Sequence, residues 1–401
     1  MSATHGSARR LRSRSRLLGC ALVALIALSA VMASSAGATP PIKETYMALG
    51  DSLAFGYSQQ LFNEHIGTGE PASAFEHGYA NDYLVFLHPT TAPRKQLQDL
   101  GCPGETSGSL IGNGALEAGL KAARELETGK AVPPFGEAPC AYHELGAEEL
   151  NAKFGGGLYP AGYKFPLHTE YGGAGVSQLE AAVYWIARDA AEGKPVTHLS
   201  INIGPNDQLH AVKHCEEKVG EEVVKGEIPP TKEAEEKALK SCLEASVPGL
   251  IGQIATNLDT TLFVLQNGSL FGGINYEGKI IYVGAYNPYG NLLKFPTKKE
   301  AAEGKNYEVL KGSNELAKVI STAIGYYGAK GGACPALTFD RFNTETTGEP
   351  LHLQKWTNMA NTSETEFPPL SGNKLKNGPD IHATPEGYKI MASWMYNECG
   401  T

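Results

Sequence analysis

The chain has 401 residues, 42% apolar and 19% charged, with 47 Gly and 24 Pro. This excludes fibrous, low-complexity and disordered classes and leaves enough apolar residues for a sizeable core. A mildly negative mean hydropathy excludes a polytopic membrane protein, and a formal net charge of −9 makes nucleic acid an unexpected partner.

The first stretch, 1–38, carries Arg9, Arg10, Arg12, Arg14 and Arg16 and no acid, then the apolar run Leu17 to Ala33 and the small residues Ala36-Gly37-Ala38. A basic start, a short apolar run and a small-residue cleavage site describe a signal peptide cut before Thr39. The other reading, an uncleaved anchor, would use a run shorter than the ~20 residues a membrane span prefers. Removal of the leader takes five arginines away, so residues 39–401 are more acidic still and are expected to form a single domain with long loop insertions. Cys20 leaves with the leader. The remaining cysteines, Cys102, Cys140, Cys215, Cys242, Cys334 and Cys399, are even in number in an exported chain and predict disulfides. Pairing between sequence neighbours is expected: Cys102 with Cys140, Cys215 with Cys242, and Cys334 with Cys399. No C-x-x-C or Cys/His grouping of zinc-site spacing suggests a metal, and no cofactor motif is present.

Along the mature chain, Tyr46-Met47-Ala48-Leu49 predicts a short buried strand running into Gly50-Asp51-Ser52-Leu53. The next hundred residues read as irregular and Gly-rich, apart from a helical pattern over 115–126 at Leu116, Leu120, Ala123 and Leu126. Ser177-Gln178-Leu179-Glu180 is a capping box opening a helix with an apolar face at Leu179, Ala182, Val183, Ile186 and Ala190. A strand over 198–203 then ends at Gly204-Pro205-Asn206-Asp207. Residues 211–265 read as helical with a break at Ile228-Pro229-Pro230, their Glu/Lys run forming a solvated face. Residues 279–284 predict a strand, 307–324 a helix and 336–339 a strand. A last helix follows Thr384-Pro385-Glu386, with Thr as N-cap and Pro at the first helical position.

Strands alternating with helices imply an α/β fold, a parallel sheet covered on both faces, and right-handed crossovers place every strand's C-terminal end on one edge. Ligand sites lie on that edge. The loops bearing Ser52, Gly104 and Asn206 are expected to converge there. Ser52 would present a hydroxyl after a strand. In Gly101-Cys102-Pro103-Gly104-Glu105-Thr106, Gly104 can bring its N–H close to a ligand oxygen. Asn206 offers an amide donor, and His382 follows the polar loop 377–380 just before a helix.

In their order along the chain, Ser52 in Gly-Asp-Ser-Leu, Gly104, Asn206 in Gly-Pro-Asn-Asp and the late His382 resemble the SGNH or GDSL serine hydrolases, over residues 45 to the C-terminus. The Ser177-Gln178-Leu179 helix resembles the secreted actinobacterial branch. The resemblance implies a flavodoxin-like three-layer α/β/α sandwich with a central parallel sheet. It implies Ser52 as nucleophile, His382 as general base, and an oxyanion hole of the Ser52 and Gly104 N–H groups and the Asn206 amide, with no metal or cofactor. The implied activity is a secreted carboxylic ester hydrolase working through an acyl-enzyme on a small-molecule, lipid or acylated-carbohydrate ester. The alternatives are lipase against small-ester or O-acetyl esterase, and, from another class, a catalytically silent surface or glycan-binding protein of the same fold.

One position departs from the family pattern. Three residues before the His, where the family has Asp, stands Pro379, and the nearest acid is Asp380. Asp380 orients His382, or a backbone carbonyl near Pro379 does so. Asp51 and Asp207 are expected to fix loops by bonding backbone N–H groups. His198 and His210 are expected to be structural, and Tyr282, Tyr286 and Trp356 to line the core or a groove. The acyl-binding lining is expected from the irregular segments 55–100 and 104–175.

Overall fold

The computed structural model describes residues 44–400, apart from 60, 63–71, 88–95, 133, 141, 143–147, 149–150, 153–160, 162–163, 174, 289–312, 344–351 and 359–379. The leader and its cleavage site therefore lie outside the described residues. Among the described residues, no helix is long and apolar enough to cross a membrane.

Five parallel strands, β1 (Thr45–Gly50), β2 (Gln96–Asp99), β3 (Val196–Asn202), β4 (Lys279–Gly284) and β5 (Cys334–Leu337), form one sheet in the order β2-β1-β3-β4-β5. This is the flavodoxin-type order, in which the chain reverses its direction of travel across the sheet at β1 and β3. Every residue of β1 is buried, as a strand covered on both faces requires. Alternation divides it between two cores. Met47 and Leu49 join Leu199, Ile201, Ile280 and Tyr282 beneath α5 (Gln178–Ala191), α7 (Lys232–Gln266) and α8 (Ser313–Lys330). Tyr46 and Ala48 join Ile281, Val283 and Ala336 beneath α2 (Tyr79–Leu87) and α11 (Pro385–Cys399). The fold is thus a three-layer α/β/α sandwich.

The remaining helices are α1 (Ser52–Phe55), α3 (Ser107–Ile111), α4 (Ala115–Thr128), α6 (Pro205–Val224), α9 (Phe339–Phe342) and α10 (His352–Trp356). The caps act as the sequence predicts. Ser177 accepts from Glu180 N while Glu180 accepts from Ser177 N, and Thr384 accepts from Gly387 N. The 211–265 region is two helices, α6 and α7, parted at the Pro229-Pro230 break.

Three stretches differ from the sequence reading. The "irregular" hundred residues contain edge strand β2 and helices α2 and α3. Gln96-Leu97-Gln98-Asp99 shows no apolar run because an edge strand pairs on one side only. The 307–324 helix is described from Ser313 and continues to Lys330, past Gly325, which reads as a stop but is a close approach. A Cβ there would come within 2.8 Å of Leu337 Cδ2. The strand expected over 336–339 lies two residues earlier, because Thr338 turns to bond the Gly284 carbonyl and Phe339 opens α9.

The three disulfides join Cys102 to Cys140, Cys215 to Cys242 and Cys334 to Cys399, with Cα separations of 6.4, 5.7 and 5.9 Å. The pairing is between sequence neighbours, as expected.

Candidate active site

The site is built at the C-terminal ends of β1 and β3, which finish level, with Gly50 opposite Asn202. Gly50 has φ +146°, and a Cβ on it would stand 2.4 Å from the Asn202 carbonyl oxygen, so only glycine turns the chain here. Asp51 then caps α1, its carboxylate accepting from Leu53 N at 2.9 Å. Ser52 becomes the first residue of that helix, in a position where helix N–H groups have no intrahelical acceptor. Ser52 is 9% exposed.

The Gly104 loop follows β2 and is stitched to the same turn: Cys102 N donates to Gly50 O at 3.0 Å. Gly104 itself is exposed, with φ +83° and open space where a Cβ would be. Asn206 stands in the first turn of α6, just after Pro205 at its start. Its amide donates to Glu105 O at 2.9 Å and lies 3.5 Å from Asp51 Oδ2. Asp207 accepts from Ser107 N (2.9 Å) and Ser107 Oγ (2.6 Å), tying α6 to α3. Asp51 and Asp207 therefore fix loops, as their positions suggested.

His382 arrives from the far end of the chain. Its Nε2 lies 2.9 Å from Ser52 Oγ and its Nδ1 2.6 Å from Asp380 Oδ1. Asp380 also accepts from His382 N (3.1 Å) and, through Oδ2, from Gln59 N (3.1 Å). The alternative acceptor near Pro379 lies outside the described residues. The Tyr57 ring packs 4.7 Å from the imidazole, and the Tyr286 hydroxyl donates to Ile381 O at 2.8 Å. Asn358 N donates to His382 O at 2.8 Å. Hydroxyl, imidazole and carboxylate thus form a connected chain of the kind that lets a base take a hydroxyl proton while a carboxylate holds the resulting cation.

Residues that the sequence reading passed over support this arrangement. Gln178, named there only as part of its helix start, accepts from Gly50 N (2.6 Å). Its NH2 group lies 3.0 Å from each of Gly50 O, Glu105 Oε2 and the Tyr171 hydroxyl. Glu105 is fully buried and also receives Ser109 Oγ. Burial pushes its carboxyl up to about 8, Asp51 to about 7 and Asp99 to about 6. The signal available was Glu105 itself, an acid next to a glycine loop that leads straight into a helix.

Of the side residues, Tyr282, Tyr286 and Trp356 are buried. His198 is half-buried beside Thr197. His210 departs from its expected structural role, being exposed on α6. Among the described residues, Cys102, Glu105 and Cys140 bring three potential metal-ligand atoms together, but the two sulfurs are bonded to each other, which leaves one carboxylate.

A cavity of about 360 Å3 opens beside Ser52, Asn206 and His382. Its walls are α6, α7 and α8 with the segment after β4. Among the described residues, none from 55–100 or 104–175 lines this cavity; its walls come from the β3–β4 and β4–β5 crossovers.

No family model and no curated protein matches the chain. Among solved structures it is similar to a lipase from a goat rumen metagenome (13% identity, covering 88% of this chain and 97% of that one, TM-score 0.38). It is also similar to an acetylxylan esterase of Geobacillus stearothermophilus (12%, 89% and 94%, TM-score 0.38) and a carbohydrate acetylesterase of Sinorhizobium meliloti (11%, 88% and 97%, TM-score 0.34). At these scores the likenesses carry no weight for the chemistry, which has to come from the side chains.

Proposed function

We propose that the chain is an exported serine-dependent carboxylic ester hydrolase of the SGNH type. The observation that carries this reading is the continuous chain Ser52 Oγ, His382 Nε2, His382 Nδ1, Asp380 Oδ1, with links of 2.9 and 2.6 Å. Ser52 Oγ attacks the ester carbonyl as His382 takes its proton. The tetrahedral oxyanion is met by the N–H groups of Ser52 and Gly104 and the amide of Asn206, each such donor being worth about 2.7–4 kcal/mol in transition-state stabilisation. The Asn206 amide is anchored on Glu105 O, and the oxyanion takes the hydrogen that otherwise rests on the long 3.5 Å contact with Asp51 Oδ2. His382 passes the proton to the departing alkoxide, and then activates water to hydrolyse the acyl-enzyme. Asp380 holds the tautomer with the proton on Nδ1 and stabilises the imidazolium. Export is supported by the basic-then-apolar leader over 1–38 and by three intramolecular disulfides.

A fluorophosphonate probe tests the reading, since it labels only an activated serine. Stoichiometric labelling mapped to Ser52, and lost in Ser52→Ala, is the expected result. A folded protein that neither labels nor hydrolyses any p-nitrophenyl ester would leave the silent binding-protein reading in its place.

A further inference from the structure

The cavity beside Ser52 is a candidate for one half of the substrate, and its lining decides which half. Leu209 and Val212 of α6, Leu243 and Val247 of α7, and Leu316 and Ile320 of α8 face it. Leu209, Val212 and Leu316 are only half-buried, so three helices leave apolar side chains partly uncovered around one space. Apolar surface around a cavity next to reacting groups fits an apolar ligand.

The cavity has depth. The α6 residues on its wall run from Pro205 to Glu216, about 16 Å at the helical rise. Its far end lies level with the Cys215–Cys242 disulfide that closes the α6–α7 hairpin. There the lining turns charged, with Lys213, Glu216, Lys240 and Glu244, and Lys240 Nζ lies 3.8 Å from Glu244 Oε1. At about 360 Å3 it exceeds by more than twofold the ~150 Å3 that holds a benzene. That is room for an unbranched chain of about eight to twelve carbons, and a longer one would have to pass the charged end.

The order of the chemical steps selects the acyl half. The acyl group stays bonded to Ser52 Oγ through both half-reactions. The alcohol must leave after the first, so that water can take its place beside His382, and an alcohol held deep in the cavity would obstruct that exchange. We infer that this cavity is the acyl-binding site, and that the protein is selective for esters of medium-length unbranched fatty acids, with the alcohol part directed to solvent. The inference rests on the ester hydrolase reading above and adds to it the substrate class and the helices that choose it.

The test uses the full exported chain and two ester series. In the first, p-nitrophenyl esters run from acetate to palmitate. In the second, acetates of alcohols run from ethanol to decanol. Each methylene buried on the acyl side is worth at most about fourfold in kcat/KM. The expected rise from acetate to decanoate is at least thirtyfold, with no further gain at palmitate, while the acetates of the alcohol series stay flat. Val212→Trp and Leu316→Trp fill the cavity from opposite walls. Either one, if folded, is expected to lower the decanoate-to-acetate ratio of kcat/KM at least tenfold. A wild-type profile that is flat or falls with acyl length, a chain-length gain confined to the alcohol series, or a smaller change of the ratio in both folded variants overturns the inference. Because such outcomes still show ester hydrolysis, they differ from the failure of the hydrolase reading, in which no ester turns over and Ser52 does not label.

Discussion

Replacing Asp380 by Asn removes one charge and almost no volume, and the structure dictates two arrangements for the new amide. Oδ1 accepts from both His382 N and His382 Nδ1, at 3.1 and 2.6 Å, and Oδ2 accepts from Gln59 N at 3.1 Å. An amide has one acceptor, so it cannot serve both sides. With its oxygen toward His382, its NH2 faces the Gln59 N–H, donor against donor, and the imidazole keeps its proton on Nδ1. What is lost is then the charge, and a hydrogen bond to a charged group is worth about 1.5–3 kcal/mol, or about 10- to 150-fold in rate. With its NH2 toward His382, Nδ1 must accept and Nε2 must carry the proton. Nε2 then points a hydrogen at Ser52 Oγ and cannot act as a base, the wrong-tautomer state that costs about ten-thousand-fold in serine protease triads. The expected kcat/KM of Asp380→Asn on a p-nitrophenyl ester therefore lies between those limits, with KM less affected than kcat. The fold should survive, weakened where one donor is left facing another. A variant that melts cooperatively and keeps kcat/KM within tenfold of the parent would show that Asp380 anchors its loop and does nothing for the base.

Three other outcomes follow from the same geometry. Ser52→Ala and His382→Ala should each abolish turnover, and the double variant should be no slower than the worse single one, because the two groups act as a unit; additive losses measured with p-nitrophenyl esters would contradict the shared proton. Glu105, raised to about 8 by burial, binds a proton in the folded chain over a range where the unfolded carboxyl, near 4.3, has lost it, so its contribution to stability is full below pH ~4 and declines up to about pH 8. Asp51 and Asp99 add to the decline in the same direction. Glu105→Gln keeps the donor–acceptor pattern without the proton, and its melting temperature should fall less between pH 5 and 8.5 than the parent's; parallel curves would assign the decline to other groups. The Cys334–Cys399 bridge closes a loop of 65 residues, worth about 4 kcal/mol in the chain-entropy model. Replacing both cysteines by Ala should lower the melting temperature by about 5 °C, read by calorimetry, for a folded unit of this size, and no measurable shift would refute it.

The positions legible in the sequence were those where a backbone change and a chemical group coincide. Ser52 and Asn206 follow strands whose apolar residues announce them, and His382 precedes a helix whose Thr-Pro start is unmistakable. The supporting residues were not legible. Nothing in the letter Gln at 178 says that its amide meets the backbone of Gly50, 128 residues away in the chain, since that contact depends on β1 and α5 being neighbours. The cavity was misplaced for a related reason. Long Gly-rich segments look like ligand-binding loops, whereas the wall is made by apolar side chains of α6, α7 and α8, which in sequence carry no mark of a ligand site. Leu209, Val212 and Leu316 come to line a space only once the three helices are packed together.

The same contacts show that the nucleophile and the oxyanion donors are held by a different set of bonds from the base. Asp51 N bonds Asn202 O, Cys102 N bonds Gly50 O, the Asn206 amide bonds Glu105 O, and Ser107 bonds Asp207. With Gln178 clamping both sides of Gly50, the turns bearing Ser52, Gly104 and Asn206 form one block fixed to β1 and β3, much of it buried. His382 is attached differently. Its segment is held by Asp380 to Gln59, by Asn358 to the His382 carbonyl, by Tyr286 to Ile381 O, and by the bridge between Thr357 and Ala383. The Gln59 contact leads back to the β1–α1 turn, because Tyr57 N bonds Ser52 O at 2.9 Å and the Tyr57 ring packs 4.7 Å from the imidazole. A perturbation of the Thr357 segment therefore acts first on the base, one of the Gln59 segment on the base and the nucleophile turn, and one of Glu105 or Gln178 on the nucleophile and the oxyanion donors together. The division falls where the chemistry divides: the oxyanion donors must be fixed before charge develops for their full effect, while the imidazole has to serve the nucleophile, the leaving alkoxide and then water in turn.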